Sequence, residues 1–485
     1  MNDAELVSMT AVQVLVAVSR GELRLVDYVG ALLKHAERLS QLNAFRAIDA
    51  ESLLSSAEEK DLQWAAGVPL DILHGLPVSV KDSVNTSALP TANGTGLLQT
   101  HRPKRDAAIV SRMLALGGLL FGKTNIHELS FGWTCCSEAY GNVLNPYDPD
   151  RIPGGSSGGS AVAVAAGIAP LAIAEDTLGS LRIPASMCGV AGYRPCYGRY
   201  PNSGVMPLTK ARFDQVGVIA RGMEDILLWD RALTGEQPSS FKNAIAGARI
   251  AVCPDYCFAL ADSEVANVCY EALYRLQAAG AKLIWLNLPD ALSAIASVVT
   301  TIILYECVDS MSTFFRDEGI EHAFSAIVGR MWADTKTMVE RLLSGSGRPS
   351  TDAYHRALRE ADGMARALVA FMDANSIDFM AFPSTLIAAP LLADVQKQAL
   401  SENGLPFEAT MTHNTSIATC SGFGAVVLHA GCTAAGMPVG MEFIAPPGRD
   451  ANLLAFCRRA ETYMERSPAI NPMRWHSSQP PSDGA

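Results

Sequence analysis

The chain of 485 residues is 49% hydrophobic and contains 39 glycines, which is enough apolar material for a large buried core. Its formal net charge of −11, without a clustered stripe of Lys and Arg, argues against a nucleic-acid partner. The eleven cysteines include no C-x-x-C pair, and the longest apolar runs are shorter than the roughly 20 residues that span a bilayer. We therefore expect a cytoplasmic protein with reduced thiols, no secretory signal and no membrane segment.

The first half of the chain alternates predicted helices and strands. Apolar residues at three- and four-residue spacing predict amphipathic helices at residues 11–17 and 25–39. Residues 76–80 are predicted to form a short buried strand that ends at Lys81. A lysine directly after an apolar strand is a candidate general base, and a surface lysine at a strand end is the alternative.

Residues 117–124 match the phosphate-loop pattern G-x-x-x-x-G-K-[ST]. In a true phosphate loop a strand precedes the first glycine and the following backbone curls around the phosphates. Here a predicted helix at 107–116 precedes it, and apolar residues of a predicted strand occupy the place of the loop. We therefore interpret this match as accidental.

Two glycine-flanked serine sites lie close together in the sequence, at Ser156/Ser157 and at Ser180. Between them the pattern predicts a small-residue helix at 161–168 and a buried strand at 171–174, closed by a turn at 176–179. A helix and a strand folded back to back would bring the two sites together. Because a serine is a poor nucleophile unless a neighbouring base takes its proton, the question is which base the chain supplies.

The run GGSSGGS also satisfies the G-x-S-x-G pattern of an α/β-hydrolase nucleophile elbow, centred on Ser156 or Ser157. That elbow requires a strand leading into the serine, whereas NPYDPDRIP before it is typical of a loop. No HGGG-type oxyanion segment is present in the sequence either. This interpretation is therefore our second choice.

Seven segments in order resemble the amidase signature family. They are GLPVSVKD at 75–82, FGKTN at 121–125, PGGSSGGS at 153–160, DTLGSLRIPASMCGVAGYRP at 176–195, GRYPNSGVMPL at 198–208, AGMPVGMEFI at 435–444 and GRDANLL at 448–454. The resemblance covers most of the chain and weakens between residues 235 and 410. It implies an α/β fold with a mixed twisted β-sheet flanked by helices on both faces.

The resemblance implies one amidase domain over residues 1–485, with N-terminal helices in 1–60 and a variable substrate-cap region in 235–410. In that region we predict strands at 249–253, 282–286 and 377–382, and helical segments at 297–315 and 331–343 that cap the site. His127, His413 and His429 do not cluster at metal-ligand spacing, so we expect them to be structural. No metal and no cofactor are expected.

The family's Ser-cisSer-Lys triad, carried over residue by residue, falls on Ser180, Ser156 and Lys81. Burial beside Val78 and Val80 penalises the charged ammonium of Lys81, so a neutral amine becomes available as a base. Ser156 would relay the proton of Ser180 to Lys81, and Ser180 would form an acyl-enzyme. In the family the peptide bond before the middle serine is cis, which here is the bond between residues 155 and 156.

The resemblance also implies an oxyanion hole from the backbone N–H groups of Thr177, Leu178, Gly179 and Ser180. Asp176 and Arg182 are expected to support this turn. The family usually shows Gly-Thr-Asp-Thr-Gly-Gly-Ser, whereas residues 174–180 are Ala-Glu-Asp-Thr-Leu-Gly-Ser.

Two of these departures bear on the site. Leu178 would be strained if its position requires a positive φ angle. Glu175 places an extra carboxylate beside the site, and for it we favour a structural partner over a substrate amine because buried charges are paired.

The runs HELSFGWT, NPYD and GYRP are most similar to the indoleacetamide and mandelamide hydrolase branch, which cleaves small arylacetamide-type amides. Phe131, Gly132, Trp133 and Thr134 lie in the family's acyl-pocket segment, and an aromatic wall suits an apolar acyl group. The alternative for Phe131 and Trp133 is a purely structural core role.

We therefore expect an amidohydrolase that acts on a small aryl or apolar carboxamide and gives the acid plus an amine or ammonia. Hydrolysis of esters or carbamates by the same triad, an amidotransferase A-type subunit and a non-catalytic family member are the alternatives. The expected partner is the small-molecule substrate, and a homodimer stays open.

Overall fold

Eleven strands form one mixed sheet in the computed structural model, which describes residues 1–210, 212–236, 245–320, 324–396, 405–467 and 470. The strands are β1 Phe45–Ala47, β2 Pro77–Lys81, β3 Leu119–Thr124, β4 Leu171–Asp176, β5 Ala191–Arg194, β6 Gln215–Ala220, β7 Arg249–Val252, β8 Lys282–Trp285, β9 Phe379–Pro383, β10 Gly424–Cys432 and β11 Pro438–Ala445. Their order across the sheet is β1-β3-β2-β4-β6-β5-β10-β11-β9-β7-β8. Strand β2 is parallel to β3 and β4, β7 is parallel to β8 and β9, and the other pairs are antiparallel.

The helices in the described ranges are α1 Asp3–Ser8, α2 Ala11–Ser19, α3 Leu25–Arg38, α4 Ala50–Ala65, α5 Ala108–Ala115, α6 Gly158–Ala165, α7 Arg182–Met187, α8 Met223–Thr234, α9 Pro254–Cys257, α10 Ser263–Ala278, α11 Ile295–Asp317, α12 Phe324–Val328, α13 Ala333–Leu343, α14 Thr351–Ala374, α15 Leu392–Gln396, α16 Phe407–Thr412, α17 Thr415–Ser421 and α18 Asp450–Ala460. Every residue of β2, β4, β6 and β11 is buried. Because a strand can be buried throughout only when both faces of its sheet are covered, this confirms helices on both faces.

The elements that carry the serine sites differ from the prediction at their ends. Helix α6 begins at Gly158, directly after the serine pair, rather than at residue 161. Strand β4 continues to Asp176, so Glu175 and Asp176 are strand residues opposite Val216 and Gln215 of β6. The turn that carries Ser180 therefore begins only after Asp176.

Most of the segment that matched a phosphate loop forms strand β3, Leu119–Thr124, so a strand occupies the place of the loop, as predicted. Lys123, the lysine of the motif, is fully buried and donates to the Val84 carbonyl and to Thr91 Oγ1. Burial lowers the pKa of Lys123 to about 7. Lys123 therefore has a structural role inside the protein.

Residues 235–410 contribute both to the sheet and to its cover. Strands β7, β8 and β9 confirm the three strands predicted there. Helix α11 contains the predicted segment 297–315, and α13 begins at Ala333, two residues inside the predicted segment 331–343. Residues Asp290–Asp317 are long and apolar enough to cross a membrane by length and composition, but half of the most apolar window is buried in the protein. Its hydrophobicity is therefore accounted for in part by packing. None of the eleven cysteines, all of which lie in the described ranges, forms a disulfide bond.

Candidate active site

The site forms where the carboxyl ends of β2 and β4 meet. The two strands are parallel, with Val80 opposite Ile173, so Lys81 and Glu175 leave the same edge of the sheet. Crevices at the carboxyl ends of parallel strands are the usual ligand sites of open α/β sheets.

Lys81 is fully buried and holds two partners at that edge. Its Nζ donates to Ser156 Oγ and to Glu175 Oε1, each at 2.6 Å. Ser83 Oγ donates to the same Glu175 oxygen at 3.4 Å. The structural partner expected for Glu175 is therefore Lys81 itself.

Several contacts fix the Ser156 loop. The peptide bond between Gly155 and Ser156 is cis, as the resemblance implied. The Ser156 carbonyl accepts hydrogen bonds from the His127 N–H and from the Cys135 thiol, both at 3.1 Å. The Gly158 N–H in turn donates to Cys135 Sγ at 3.1 Å. The backbone of this loop is thus held independently of the Ser156 hydroxyl.

Ser180 lies next to this loop. Its carbonyl accepts the Ser157 N–H at 3.0 Å, and only 4% of the residue is exposed. Within the described residues, no hydrogen bond joins Ser180 Oγ to Ser156 Oγ. The structure thus joins Lys81 to Ser156 and places Ser180 beside them, while the relay between the two serines stays a prediction that requires the Ser180 hydroxyl to approach Ser156 Oγ.

Asp176 and Arg182 support the turn that carries Ser180, as predicted. The Asp176 carboxylate accepts the N–H groups of Gly179, Leu181 and Arg182 at 2.9–3.2 Å and pairs with the Arg182 guanidinium. Burial by itself would raise the pKa of Asp176, but Arg182 beside it holds that pKa well below its usual range. Arg182 also donates to Glu442 of β11 at 2.6 Å, which ties the turn to the centre of the sheet.

Helix α17 orients the predicted oxyanion turn. Thr419 Oγ1 donates to the Thr177 carbonyl at 2.9 Å, and Thr415 Oγ1 donates to the Leu178 carbonyl at 3.1 Å. In a trans peptide the next N–H points the opposite way, so the Leu178 N–H is directed away from α17. The Gly179 N–H already donates to Asp176, so Gly179 offers no free donor to an oxyanion.

The remaining donors of the turn are open, and its backbone is not strained at Leu178. The N–H groups of Leu178 and Ser180 have no acceptor among the described residues. Leu178 is not among the residues with positive φ, whereas Gly179 has a φ of +104°. The strain considered for Leu178 therefore does not arise, because the glycine occupies the position that needs it.

A cavity of about 520 Å³ opens beside Ser180. Phe131, Gly132 and Trp133 line it, as predicted, together with Leu178. The other lining residues are Ser130, Thr177, Ser180, Leu208, Ala296, Ser297, Thr300, Thr301, Ile303, Leu304, Met338, Pro349, Pro406, Glu408, Ala409 and Thr412. Eleven of the twenty lining residues carry apolar side chains, which suits an apolar acyl group, and Glu408 adds one carboxylate to the wall.

Thr134 is not part of this wall, in contrast to the prediction. Its Oγ1 is hydrogen-bonded to His127 Nδ1 at 3.1 Å and accepts the Cys136 N–H at 3.3 Å. The hydroxyl is therefore bonded to protein groups outside the acyl cavity. His127 Nε2 bonds to Thr335 Oγ1 at 2.8 Å, and its ring packs so closely on Gly132 that a Cβ there would lie 2.2 Å from Nε2. Burial, followed by the charge of Lys81, lowers the pKa of His127 to about 3. The histidine therefore serves as a neutral support.

The other two histidines also occupy structural positions. The His413 ring stacks on Tyr256 with centroids 4.2 Å apart, and His429 is buried in β10. In the part of the chain that the structure describes, no three His, Cys, Asp or Glu side chains are grouped to hold a metal ion.

Sequence reasoning missed several residues that shape the site. Cys135, Thr415, Thr419 and Glu442 hold its backbone through contacts with residues far away in the chain. A hydroxyl or thiol in a helix or loop gives no local signal for such a contact. Glu442 lies in a segment that resembles the family, but only the folded sheet brings it to Arg182.

Comparison with known proteins agrees with the fold and the motifs. The Amidase family model matches residues 27–454. The indoleacetamide hydrolase of Pseudomonas savastanoi is 32% identical over 444 residues, which cover 90% of this chain and 93% of the relative. The mandelamide hydrolase of Pseudomonas putida is 31% identical over 458 residues, covering 91% and 88%. A crystal structure of an amidase superimposes with a TM-score of 0.84 at 27% identity, covering 94% of this chain and 100% of that one. The chain belongs to the Amidase family and is a hydrolase that acts on amide C–N bonds.

Proposed function

We propose that this protein hydrolyses a small aryl or apolar carboxamide to the acid and an amine or ammonia through an acyl-enzyme on Ser180. The observation that carries the proposal is the buried contact between Lys81 Nζ and Ser156 Oγ beside a largely apolar cavity with Ser180 in its wall. A serine nucleophile requires a nearby base, and in the proposal the Ser156 hydroxyl, which already contacts Lys81, connects that base to Ser180.

In the proposed acylation step, Ser180 Oγ bonds to the acyl carbon while its proton passes to Ser156, and the Ser156 proton passes to neutral Lys81. The N–H groups of Leu178 and Ser180 stabilise the oxyanion that forms. The C–N bond then breaks as Lys81 returns the proton through Ser156 to the leaving nitrogen. Water then attacks the acyl carbon and gives a proton through Ser156 to Lys81. The bond from the acyl carbon to Ser180 Oγ breaks as Lys81 returns a proton through Ser156 to Ser180, which releases the acid.

The acyl cavity supports an aromatic substrate. The names of the relatives, indoleacetamide hydrolase and mandelamide hydrolase, denote amides whose acyl groups carry an aromatic ring. Phe131 and Trp133 offer aromatic surface, and Ser297 and Thr300 of α11 are among the residues that add hydroxyl groups to the wall. We propose that these hydroxyls select a polar substituent on the acyl group.

The alternatives differ in what they need. Esters and carbamates would react through the same acyl-enzyme, whereas an amidotransferase A-type subunit would require glutamine and partner subunits, and a non-catalytic member would form no acyl-enzyme. A cytoplasmic location and a homodimer stay proposals beside this one.

Labelling with a fluorophosphonate followed by peptide mapping tests the nucleophile. We expect the label on Ser180, its loss in Ser180→Ala, and its retention in Ser111→Ala, an exposed serine on α5. A label on Ser156 or Ser157 would favour the G-x-S-x-G interpretation instead. No label at any serine would contradict the proposed acyl-enzyme.

A substrate panel tests the reaction. We expect the highest kcat/KM for primary arylacetamides, lower values for alkyl amides of similar size, and activity without glutamine or a partner protein. Preference for esters or carbamates at matched acyl groups would reassign the substrate class.

A further inference from the structure

The Lys81–Glu175 pair is the least expected feature of the site. The two side chains are 0% and 3% exposed, and their charged atoms lie 2.6 Å apart. A carboxylate has no proton to donate, so it accepts an N–H of Lys81 whether the lysine is an ammonium or a neutral amine. The family sequence usually has threonine at this position. A threonine hydroxyl is uncharged, and it can donate a hydrogen bond as well as accept one.

Geometry makes Glu175 the group that orients the base. Neutral Lys81 has two N–H bonds and one lone pair. With one N–H directed at Glu175 Oε1, the lone pair is available to the hydroxyl of Ser156, which lies 2.6 Å from the same nitrogen. As an ammonium, Lys81 donates to both groups and cannot accept a proton.

Glu175 also lines a second cavity. Among the described contacts its Oε1 accepts Lys81 and Ser83, and its Oε2 accepts none. The second cavity, of about 630 Å³, is lined by Glu175 together with Asp214, Asp309 and Asp317. It shares no lining residue with the acyl cavity, so Glu175 lies between Lys81 and a space that the acyl group does not occupy.

The other charged or titratable groups around the pair have partners of their own or are neutral. Asp82 pairs with Arg46, and Asp176 pairs with Arg182 and Arg194. Burial lowers the pKa of His127 to about 3 and raises the pKa of Cys135 to about 12. Lys123 of β3 donates to Val84 and Thr91, and Asp214 accepts the hydroxyls of Thr177 and Thr209. Among the described residues, Glu175 is the carboxylate in contact with Lys81.

We propose that Glu175 is a positioning residue for Lys81, which accepts one N–H of the lysine and so aims the lone pair of the neutral amine at Ser156 Oγ. The inference rests on the proposed function.

The pH dependence of kcat/KM tests this role. Glu175→Gln removes the charge, so we expect the acid limb of its profile to move about one to three pH units toward acid, with a lower maximal kcat because the amide can also donate to the lone pair. Glu175→Asp keeps the charge, and its limb should stay within about half a pH unit of the wild-type position. A Glu175→Gln limb that does not move, with a uniform loss of kcat, would overturn the inference.

Two controls separate the outcomes. Asp317→Asn removes an exposed acid that lines the same second cavity and should leave the limb where it is, whereas a shift equal to that of Glu175→Gln would assign the effect to the charge of that cavity. The rate of fluorophosphonate labelling of Ser180, measured against pH in each variant, follows the same base without an amide substrate. Labelling at Ser180 with an unmoved limb in Glu175→Gln overturns the role of Glu175 alone, whereas absence of labelling at Ser180 in the wild type overturns the proposed function and this inference with it. If Glu175→Gln does not fold, Glu175→Thr, with the residue usual in the family, takes its place with the same expected shift.

Discussion

At the scale of single residues, the site combines a buried lysine with two polar groups in contact with it. Lys81 lies between the Glu175 carboxylate and the Ser156 hydroxyl, each 2.6 Å from its Nζ. Neither contact is made by a neighbour in the sequence, since Ser156 is 75 and Glu175 is 94 residues away. The chemistry of these side chains therefore depends on the sheet that brings two strand ends together.

Removing either end of the relay should abolish acyl transfer. We expect Ser180→Ala and Lys81→Ala each to lower kcat by about a thousandfold or more, because residues that act as a unit fail together. Ser156→Ala should keep a small residue of activity through water in place of the hydroxyl. Hydrolysis of an arylacetamide measures all three, and a fully active Lys81→Ala enzyme would contradict the assignment of the base.

Leu178 should affect substrate binding more than catalysis. Its side chain lines the acyl cavity, and its backbone is unstrained, so Leu178→Gly removes apolar contact without relieving strain. We expect kcat/KM for an aryl amide to fall about tenfold, since a lost apolar contact of this size is worth about 1.4 kcal/mol. Kinetics with aryl and acetyl amides measure this.

Leu208→Ala is the matched control for Leu178→Gly, because it shortens another leucine of the same wall without changing the turn. It should reproduce the loss for aryl amides. A rise of kcat for every substrate in Leu178→Gly would show that the leucine does strain the turn.

The sequence predicted the triad residues but not the contacts that hold them in place. Motif order pointed to Lys81, Ser156 and Ser180, and the rule that buried charges are paired predicted a structural partner for Glu175. The identity of that partner required the register of β2 against β4. Likewise, the role of Gly179 changed because only the folded turn shows that its N–H donates to Asp176.

At the scale of elements, helix α6 and strand β4 connect the two serines. The helix starts at Gly158 although glycine disfavours helices, because its first turn lies against the backbone of neighbouring segments. At Gly159 a Cβ would lie 2.4 Å from the Asn125 carbonyl oxygen and 2.6 Å from that of Ala44. This close approach is why the propensity pattern placed the start of the helix too late.

Gly159→Ala should therefore destabilise the protein. Two backbone carbonyls cannot move aside as a flexible side chain can, so we expect a loss of about 3 kcal/mol or more in the free energy of unfolding. Denaturant unfolding followed by circular dichroism measures it. A Gly159→Ala variant as stable as the wild type would contradict the proposed crowding.

Gly363→Ala is the control for this change. Gly363 lies inside α14 with nothing within 4 Å of the added Cβ. Alanine there should stabilise the protein by about 0.5–1 kcal/mol, because it replaces a poor helix former without a clash.

At the scale of the whole molecule, one sheet joins segments from across the chain. Strands β10 and β11 lie in its middle, between β5 and β9, although they come last in the sequence. Local patterns predicted most strands individually, but their order depends on contacts between distant segments that no local pattern encodes. Family resemblance supplied the mixed sheet, and the folded structure supplied the register.

Stability should fall in acid partly through His429, which lies in the central strand β10. Burial, followed by the charge of Arg275, lowers the pKa of His429 from 6.5 to about 4. A depressed pKa means that the neutral form is favoured by folding, so this stabilisation is present above pH 6.5 and is lost as the pH falls toward 4. The difference corresponds to on the order of 3 kcal/mol in the free energy of unfolding.

Urea unfolding at pH 7 and pH 4.5 measures this effect. His429→Gln should lose less stability between the two pH values than the wild type does. His355→Gln, at an exposed position of α14, should keep the wild-type slope. Equal slopes in all three proteins would contradict the contribution of His429.

The salt bridge between Arg182 and Glu442 has a consequence for folding during translation. The two residues are 260 positions apart, and Thr415 and Thr419, which orient the oxyanion turn, lie on the same late part of the chain. During translation the ribosome releases the nucleophile's segment long before the groups that lock it. A nascent chain therefore carries all three triad residues, but the turn that carries Ser180 is not held rigidly until β11, the last strand in the sequence, has emerged.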